Sequence, residues 1–256
     1  RAFEEHGVGR EPDGFARMAY HLSHGLDSDR PRSVEYSIRA GDAANSIGAY
    51  EDAVSLYEFA AERLTPRGDS SSRCRLLIKL GRAQRKARNP AFRSTLLGAA
   101  AMGRRLGDVD LHVSATLANN LYGILYVHIH IDHERIASLN DALHALEAAG
   151  RVDGSSTAHL LAQLSIEQIW TTDHHTRRAL LVRAIDAARA ADDTDALIAA
   201  LSAVLVSLRT PHMATIRQDA YEELDKISSI APTRTLDPML TVWLARAQVV
   251  NGELAK

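Results

Sequence analysis

Apolar residues recur along this chain at the spacing of α-helices, and strand-like alternation is almost absent. Between residues 72 and 88, Leu76, Leu80, Ala83 and Ala87 fall on one helical face, with Arg75, Lys79, Arg82 and Lys86 on the adjoining one. Breaks punctuate the pattern at Asp27 to Pro31, Leu64-Thr65-Pro66, Leu106-Gly107-Asp108, Gly150 to Gly154 and Pro211. This segmentation predicts a loop from Gly7 to Gly14, a helix from about Phe15 to Leu26, and then five helix pairs. The pairs lie near residues 33–66, 72–107, 109–149, 155–191 and 194–230, with a last helix from about Leu236. Pro31 is expected to break the chain, and Ser33 to cap the first pair. The short alternating stretch from Tyr126 to Ile131 reads as a helix end entering a loop.

The first pair carries a residue spacing with a physical meaning. Gly41, Gly48, Tyr50, Ala53, Tyr57, Ala60 and Pro66 fall where a tetratricopeptide repeat puts its small, aromatic and terminating residues, Pro66 one position late. Gly41 is expected to let the two helices approach closely, and Gly48 to make the turn between them. Ala53 and Ala60 keep the second helix shallow so that Tyr50 and Tyr57 fill the gap. Gly81 recurs 40 residues after Gly41, but Pro90 stands where Tyr50 stood, and Ala83, Ala87 and Ala100 take over the close contacts. A second echo sets Arg93, Leu96, Ala99, Arg104 and Asp108 against Arg178, Leu181, Ala184, Arg189 and Asp193, 85 residues later. One helix pair cannot bury both of its faces, so the pairs must stack. The expected fold is all-α, a right-handed superhelix of antiparallel helix pairs forming one tetratricopeptide-like solenoid over residues 1–256.

Composition agrees with that reading. Hydrophobic residues make up 46% and charged residues 24% of the 256, an ordinary folded composition, and only 5% are aromatic. No apolar run approaches the roughly 18 residues that span a bilayer, and no signal-peptide pattern opens the chain. Cys74 is the sole cysteine, which excludes an internal disulfide and points to the cytoplasm. A start at Arg1 without Met suggests a piece of a longer protein. The formal net charge of −2 argues against wholesale nucleic-acid binding. The bias of 26 Arg to 4 Lys reads as genomic composition, without mechanism.

Candidate chemistry is sparse. His128, His130 and His133 cluster, His174 and His175 are adjacent, and His21 shares a helix face with His24. A zinc site needs three or four converging ligands, and no cysteine pair or helical His-Glu-x-x-His supports one, so these read as turn and surface histidines. No phosphate-cradling P-loop or nucleophile elbow exists, and nothing in the sequence activates Cys74. Catalysis, metals and cofactors are therefore not expected in this segment. Trp170 and Trp243 sit at apolar positions and are expected in the core, with groove lining as the lesser reading.

One charge pattern stands out. From Arg73 to Arg105 the chain has ten basic residues and no acidic one, and Arg75, Lys79, Arg82 and Lys86 align in a single stripe. Two readings follow: a solvated face balanced by neighbouring helices, or a docking surface for an acidic partner or phosphate-bearing ligand.

Three segments, "FARMAYHLSHG", "SVEYSIRAGDAANSIGAYEDAVSLYEFAAERL" and "LLIKLGRAQRKARNPAFRSTLLGAAAMGRRLGD", resemble the helical-repeat region of large actinobacterial regulators. A further match lies in "RRALLVRAIDAARAADDTDALIAAL". Those regulators join an AAA/STAND-type NTPase module to tetratricopeptide-like repeats. Many end in a LuxR-type DNA-binding helix-turn-helix, and others are fused to an adenylate cyclase. The resemblance implies a protein-interaction and sensor module of a signal-transducing transcriptional regulator. Its partner would be another protein or the chain's own NTPase module, with room for a small-molecule inducer in a concave groove. The alternative is a regulatory helical domain of an adenylate cyclase or another signalling enzyme. The NTPase motifs and the DNA-reading helix themselves are absent from these residues, and neither membrane nor direct nucleic-acid binding is expected.

Overall fold

A computed structural model describes residues 30–64, 70–119, 131–152 and 154–230 of the chain. Among these residues there are ten α-helices and no strand. They belong to two compact units that divide between Asn119 and Asn120, inside the third predicted pair. Pro66, the predicted helix from Phe15 to Leu26, most of the Tyr126 to Ile131 stretch and the predicted helix from Leu236 lie outside the described residues.

The first unit contains α1 (Arg30–Ser46), α2 (Tyr50–Arg63), α3 (Ser70–Lys86), α4 (Phe92–Leu106) and α5 (Val109–Ala118). Helix α1 starts earlier than its sequence suggested. Pro31 sits in the first turn, where a missing N–H costs nothing and the fixed φ suits a helix. Ser33 is therefore no cap. It is fully buried inside α1, and its carbonyl accepts from the Ser37 hydroxyl at 2.8 Å.

Consecutive helices pack as antiparallel pairs through small-residue contacts. The α1–α2 turn passes through Gly48 at φ +84°, a conformation open to glycine. At Gly41 a Cβ would lie 2.6 Å from Cε1 of Tyr57, so the bare backbone of α1 seats the Tyr57 ring of α2. The second pair repeats the device with different chemistry: a Cβ on Gly81 would lie 2.4 Å from Cγ of Leu96. Ala53, Val54, Tyr57 and Ala60 of α2 then meet Leu76, Leu80 and Ala83 of α3 in one core. On the far side of α3, Cys74 and Ile78 pack with Leu96, Ala99 and Ala100 of α4 and with Leu111 and Ala115 of α5.

The second unit contains α6 (His133–Ala148), α7 (Ser155–Glu167), α8 (His174–Ala190), α9 (Thr194–Ser207), a 3-10 turn at Pro211–Met213 and α10 (Ala214–Ile230). Leu181 of α8, Leu201 and Val204 of α9, Leu208, and Tyr221 and Leu224 of α10 form its main core. No helix among the described residues is long and apolar enough to cross a membrane.

The 85-residue echo has a structural basis. Leu96 and Leu181 are both fully buried, as are Ala99 and Ala184. Helix α4 ends at Gly107 in the left-handed region, φ +67°, and α8 ends at Asp192, φ +50°. The next residue closes each helix in the same way: Asp108 N–H donates to the Gly103 carbonyl at 3.1 Å, and Asp193 N–H to the Ala188 carbonyl at 3.2 Å. Each aspartate then caps the following helix, Asp108 accepting from Leu111 N–H and Asp193 from the Asp195 and Ala196 N–H groups.

The arginine bias has a structural role as well, which corrects the purely genomic reading. Helix C-termini leave carbonyls without partners, and arginines of neighbouring helices supply them. Arg73 reaches the Ala61 carbonyl at 3.3 Å, and Arg85 reaches Ala118 at 2.7 Å. Buried Arg177 donates to Ser207, Ile169 and Thr172. A fork of five donors does this better than a lysine ammonium can. In the same unit, buried Arg135 of α6 holds Glu167 of α7 at 2.9 Å.

Candidate interaction surface

Helix α3 presents its basic stripe beside a buried apolar face. Leu76, Leu80 and Ala83 are buried against α2, and Ala87 packs partly against the same core. Arg75, Arg82 and Lys86 are exposed and Lys79 is half-buried, so all four heads of the predicted stripe lie outside the core.

Cross-helix contacts locate the stripe. Lys79 Nζ donates to both carboxylate oxygens of Asp42 on α1, at 2.7 and 2.6 Å. Lys86 Nζ reaches Asn45 Oδ1, also on α1, at 3.4 Å, and stands 5.1 Å from the Tyr50 ring centroid. In the other direction, Arg82 Nη2 donates to the Ser114 hydroxyl of α5 at 3.0 Å. The stripe therefore runs along the surface shared by α1, α3 and α5, the opening helices of successive pairs.

Charge compensation along the stripe is uneven. Lys79 has a carboxylate partner, and Asp42 is itself held by the Tyr57 hydroxyl at 2.7 Å. Burial, with Asp42 as hydrogen-bond acceptor and adjacent anion, pushes the Tyr57 phenol well above its ordinary range, so it stays a neutral donor. Among the described residues, Arg82 and Lys86 meet only neutral oxygens, and Arg75 makes no hydrogen bond or ion pair. The two sequence readings thus divide the stripe between them: Lys79 is balanced by a neighbouring helix, whereas Arg75, Arg82 and Lys86 have no carboxylate partner among the described residues. Asp42, Asn45 and Ser114 were not visible as part of this surface. Their only signal is adjacency across helices, which a linear pattern does not contain.

Other candidates fall away from any common site. Among the described residues no group of three or more His, Cys, Asp or Glu is placed to hold a metal. His133 and His174 open helices α6 and α8, and His174 and His175 lie ring to ring at 4.2 Å. His21, His24, His128, His130 and Trp243 lie outside the described residues. Cys74 is fully buried, its thiol donating to the Ala99 carbonyl at 3.3 Å, and burial pushes the thiol up, which keeps it from acting as a thiolate. Trp170 is not in the core. Helix α7 stops at Glu167, and the turn that follows leaves Trp170 62% exposed.

No protein-family model matches the chain, and no curated protein matches it.

Proposed function

We propose that this chain is a protein-interaction and sensing segment of a multidomain, signal-transducing transcriptional regulator of the cytoplasm. It would couple binding of a partner or inducer to an NTPase module of the same regulator, through a surface rather than a catalytic centre. The observation that carries this reading is the α3 stripe: three cations aligned on the shared face of α1, α3 and α5 with no carboxylate partner among the described residues. An aligned, uncompensated charge of one sign lowers the energy of an oppositely charged partner and speeds its encounter. The resemblance to the repeat region of actinobacterial AAA/STAND-type regulators supplies the architecture around it.

The test uses the full-length regulator and its isolated NTPase module. The 256-residue chain, immobilised, is expected to retain the module or a protein partner in a salt-sensitive manner. Loss of the chain from the full-length protein is expected to change the nucleotide dependence of activity. Retention of neither, together with unchanged regulation after deletion, overturns the reading. An open reading frame ending in a cyclase rather than a helix-turn-helix replaces transcriptional output by enzyme control.

A further inference from the structure

Uneven compensation along α3 says more about the occupant of this surface. We infer that the stripe takes an extended acidic peptide segment, held by Arg75, Arg82 and Lys86, and that Asp42 sets its affinity by occupying Lys79. This rests on the proposed interaction role and narrows it to one partner chemistry.

The spacing of the cations favours a peptide. Arg75 and Arg82 are seven residues apart on one helix, about 10 Å, and Arg82 and Lys86 about 6 Å. An extended chain rises about 3.1–3.4 Å per residue, so carboxylates two or three residues apart match those intervals. Beside Arg82 and Lys86 the neighbouring groups are neutral and polar, Ser114 on α5 and Asn45 on α1, suited to hydrogen-bonding a peptide backbone.

A continuous polyanion fits less well. Asp42 lies beside the stripe on α1, paired with Lys79. At the neutral Asp42–Lys79 pair a nucleic-acid backbone gains no attraction and cannot space its charges to skip the position, whereas a peptide can place a neutral residue there. The formal net charge of −2 adds no long-range attraction for nucleic acid.

Asp42 acts as the surface's own anion. It neutralises Lys79, one of the two stripe cations that reach toward α1, and the Tyr57 hydroxyl keeps it in place. Removing its charge should therefore uncover a fourth cation for the incoming peptide.

The experiment measures binding of the whole 256-residue chain to a labelled 12-residue peptide whose glutamates are spaced three and then two residues apart. Asp42→Asn is expected to tighten binding several-fold, and the Asp42→Asn/Lys79→Met double variant to return it close to the original. Arg75→Gln/Arg82→Gln/Lys86→Gln is expected to weaken binding at least tenfold. All of these effects should shrink as salt rises and the screening length falls below about 8 Å. Circular dichroism and melting curves separate altered binding from altered folding. A well-folded triple variant that binds like the parent overturns the inference, as does an Asp42→Asn variant that binds no better. Tighter binding of a 20-nucleotide single strand than of the peptide overturns it in favour of nucleic acid. If the peptide fails while the NTPase module is still retained, the acidic-peptide inference falls and the interaction role stands.

Discussion

Arg177 donates its Nε–H to the carbonyl of Ser207 at 3.2 Å, fastening helix α8 to the C-terminal end of α9. The same guanidinium donates to the Ile169 and Thr172 carbonyls in the turn after α7. One cation thus ties three consecutive helices of the second unit at their ends. Burial pulls its pKa down from the ordinary arginine value and nearby Asp173 opposes that, but a guanidinium stays charged throughout the accessible range.

Replacing Arg177 should therefore be among the costliest changes in the second unit. Arg177→Met strips a donor from three carbonyls at once, and leaving buried acceptors unsatisfied costs about 1–3 kcal/mol each. A combined loss of about 2–4 kcal/mol allows for water entering part of the gap. Arg177→Lys should recover part of it, since one ammonium cannot reproduce the fork. Urea denaturation of the full chain checks the order: parent, then Lys, then Met. Equal stability of Met and parent would show that water satisfies the turn without the arginine.

The glycines predict a graded series whose order depends on what each new methyl meets. Gly103→Ala would bring Cβ to 2.5 Å from the backbone nitrogen of His112, which no side-chain rotation relieves. Gly41→Ala and Gly81→Ala meet the Tyr57 ring and Leu96, which can shift at a cost of about 1–3 kcal/mol. Gly98→Ala meets nothing within 4 Å on an exposed helical position and should stabilise by about 0.5–1 kcal/mol. Melting temperatures should rank Gly98→Ala above the parent, then Gly41→Ala and Gly81→Ala, and Gly103→Ala last. Gly81→Ala combined with Leu96→Ala should cost less than the sum of the two singles.

The contrast between these residues shows what a linear pattern carries. Gly41 and Gly81 were legible because their partners sit at fixed intervals set by helix geometry and pair length, and Asp108 and Asp193 were legible as an echo but not as caps. Leu96 took the place of Tyr57 over Gly81, so the spacing survived where the residue type did not. Arg177 and Arg135 were invisible as core residues, because their partners are a carbonyl 30 positions away and a glutamate 32 positions away. Trp170 was misplaced because its burial was inferred from residue type, while the end of α7 at Glu167 decided its exposure. For the α3 stripe, alignment and exposure were legible, but the sorting of its charges by Asp42, Asn45 and Ser114 required the third dimension.

Left-handed helix ends give a third prediction. Arg88 at φ +57° and Asp192 at φ +50° occupy conformations that cost an L-residue about 1 kcal/mol and glycine almost nothing. Arg88→Gly and Asp192→Gly should each stabilise the chain by about 0.5–1 kcal/mol, after glycine's greater unfolded-state entropy is subtracted. Gly107→Ala and Gly150→Ala, at φ +67° and +69°, should destabilise by about 1 kcal/mol. Opposite signs at equivalent helix ends are the diagnostic, read as shifts in denaturation midpoint at constant slope.

The helix caps predict how stability responds to acid. Asp173 accepts from the Thr176 N–H and hydroxyl and from the His175 N–H, which hold its carboxyl at about 2, well below the usual 3.8. Asp193 is lowered too, by the Ser155 hydroxyl and the Ala196 N–H. A carboxylate with a depressed folded pKa contributes stability that is present above its unfolded value and lost as pH falls through the folded one. Both caps should therefore weaken as pH falls below about 5, the Asp173 cap down to about 2. Asparagine caps almost as well without titrating, so Asp173→Asn/Asp193→Asn should lose less stability across that window than the parent does. His159 acts at higher pH: burial lowers its pKa despite Asp193 and Asp195, so charging it below about 6.5 opposes folding. His159→Gln should flatten the stability profile below about pH 6.5 and leave the limb set by the aspartate caps intact. Equilibrium denaturation at half-unit pH steps separates the two windows. A parent and double-asparagine variant with parallel profiles from pH 5 to 2 would show that these caps carry none of the acid sensitivity.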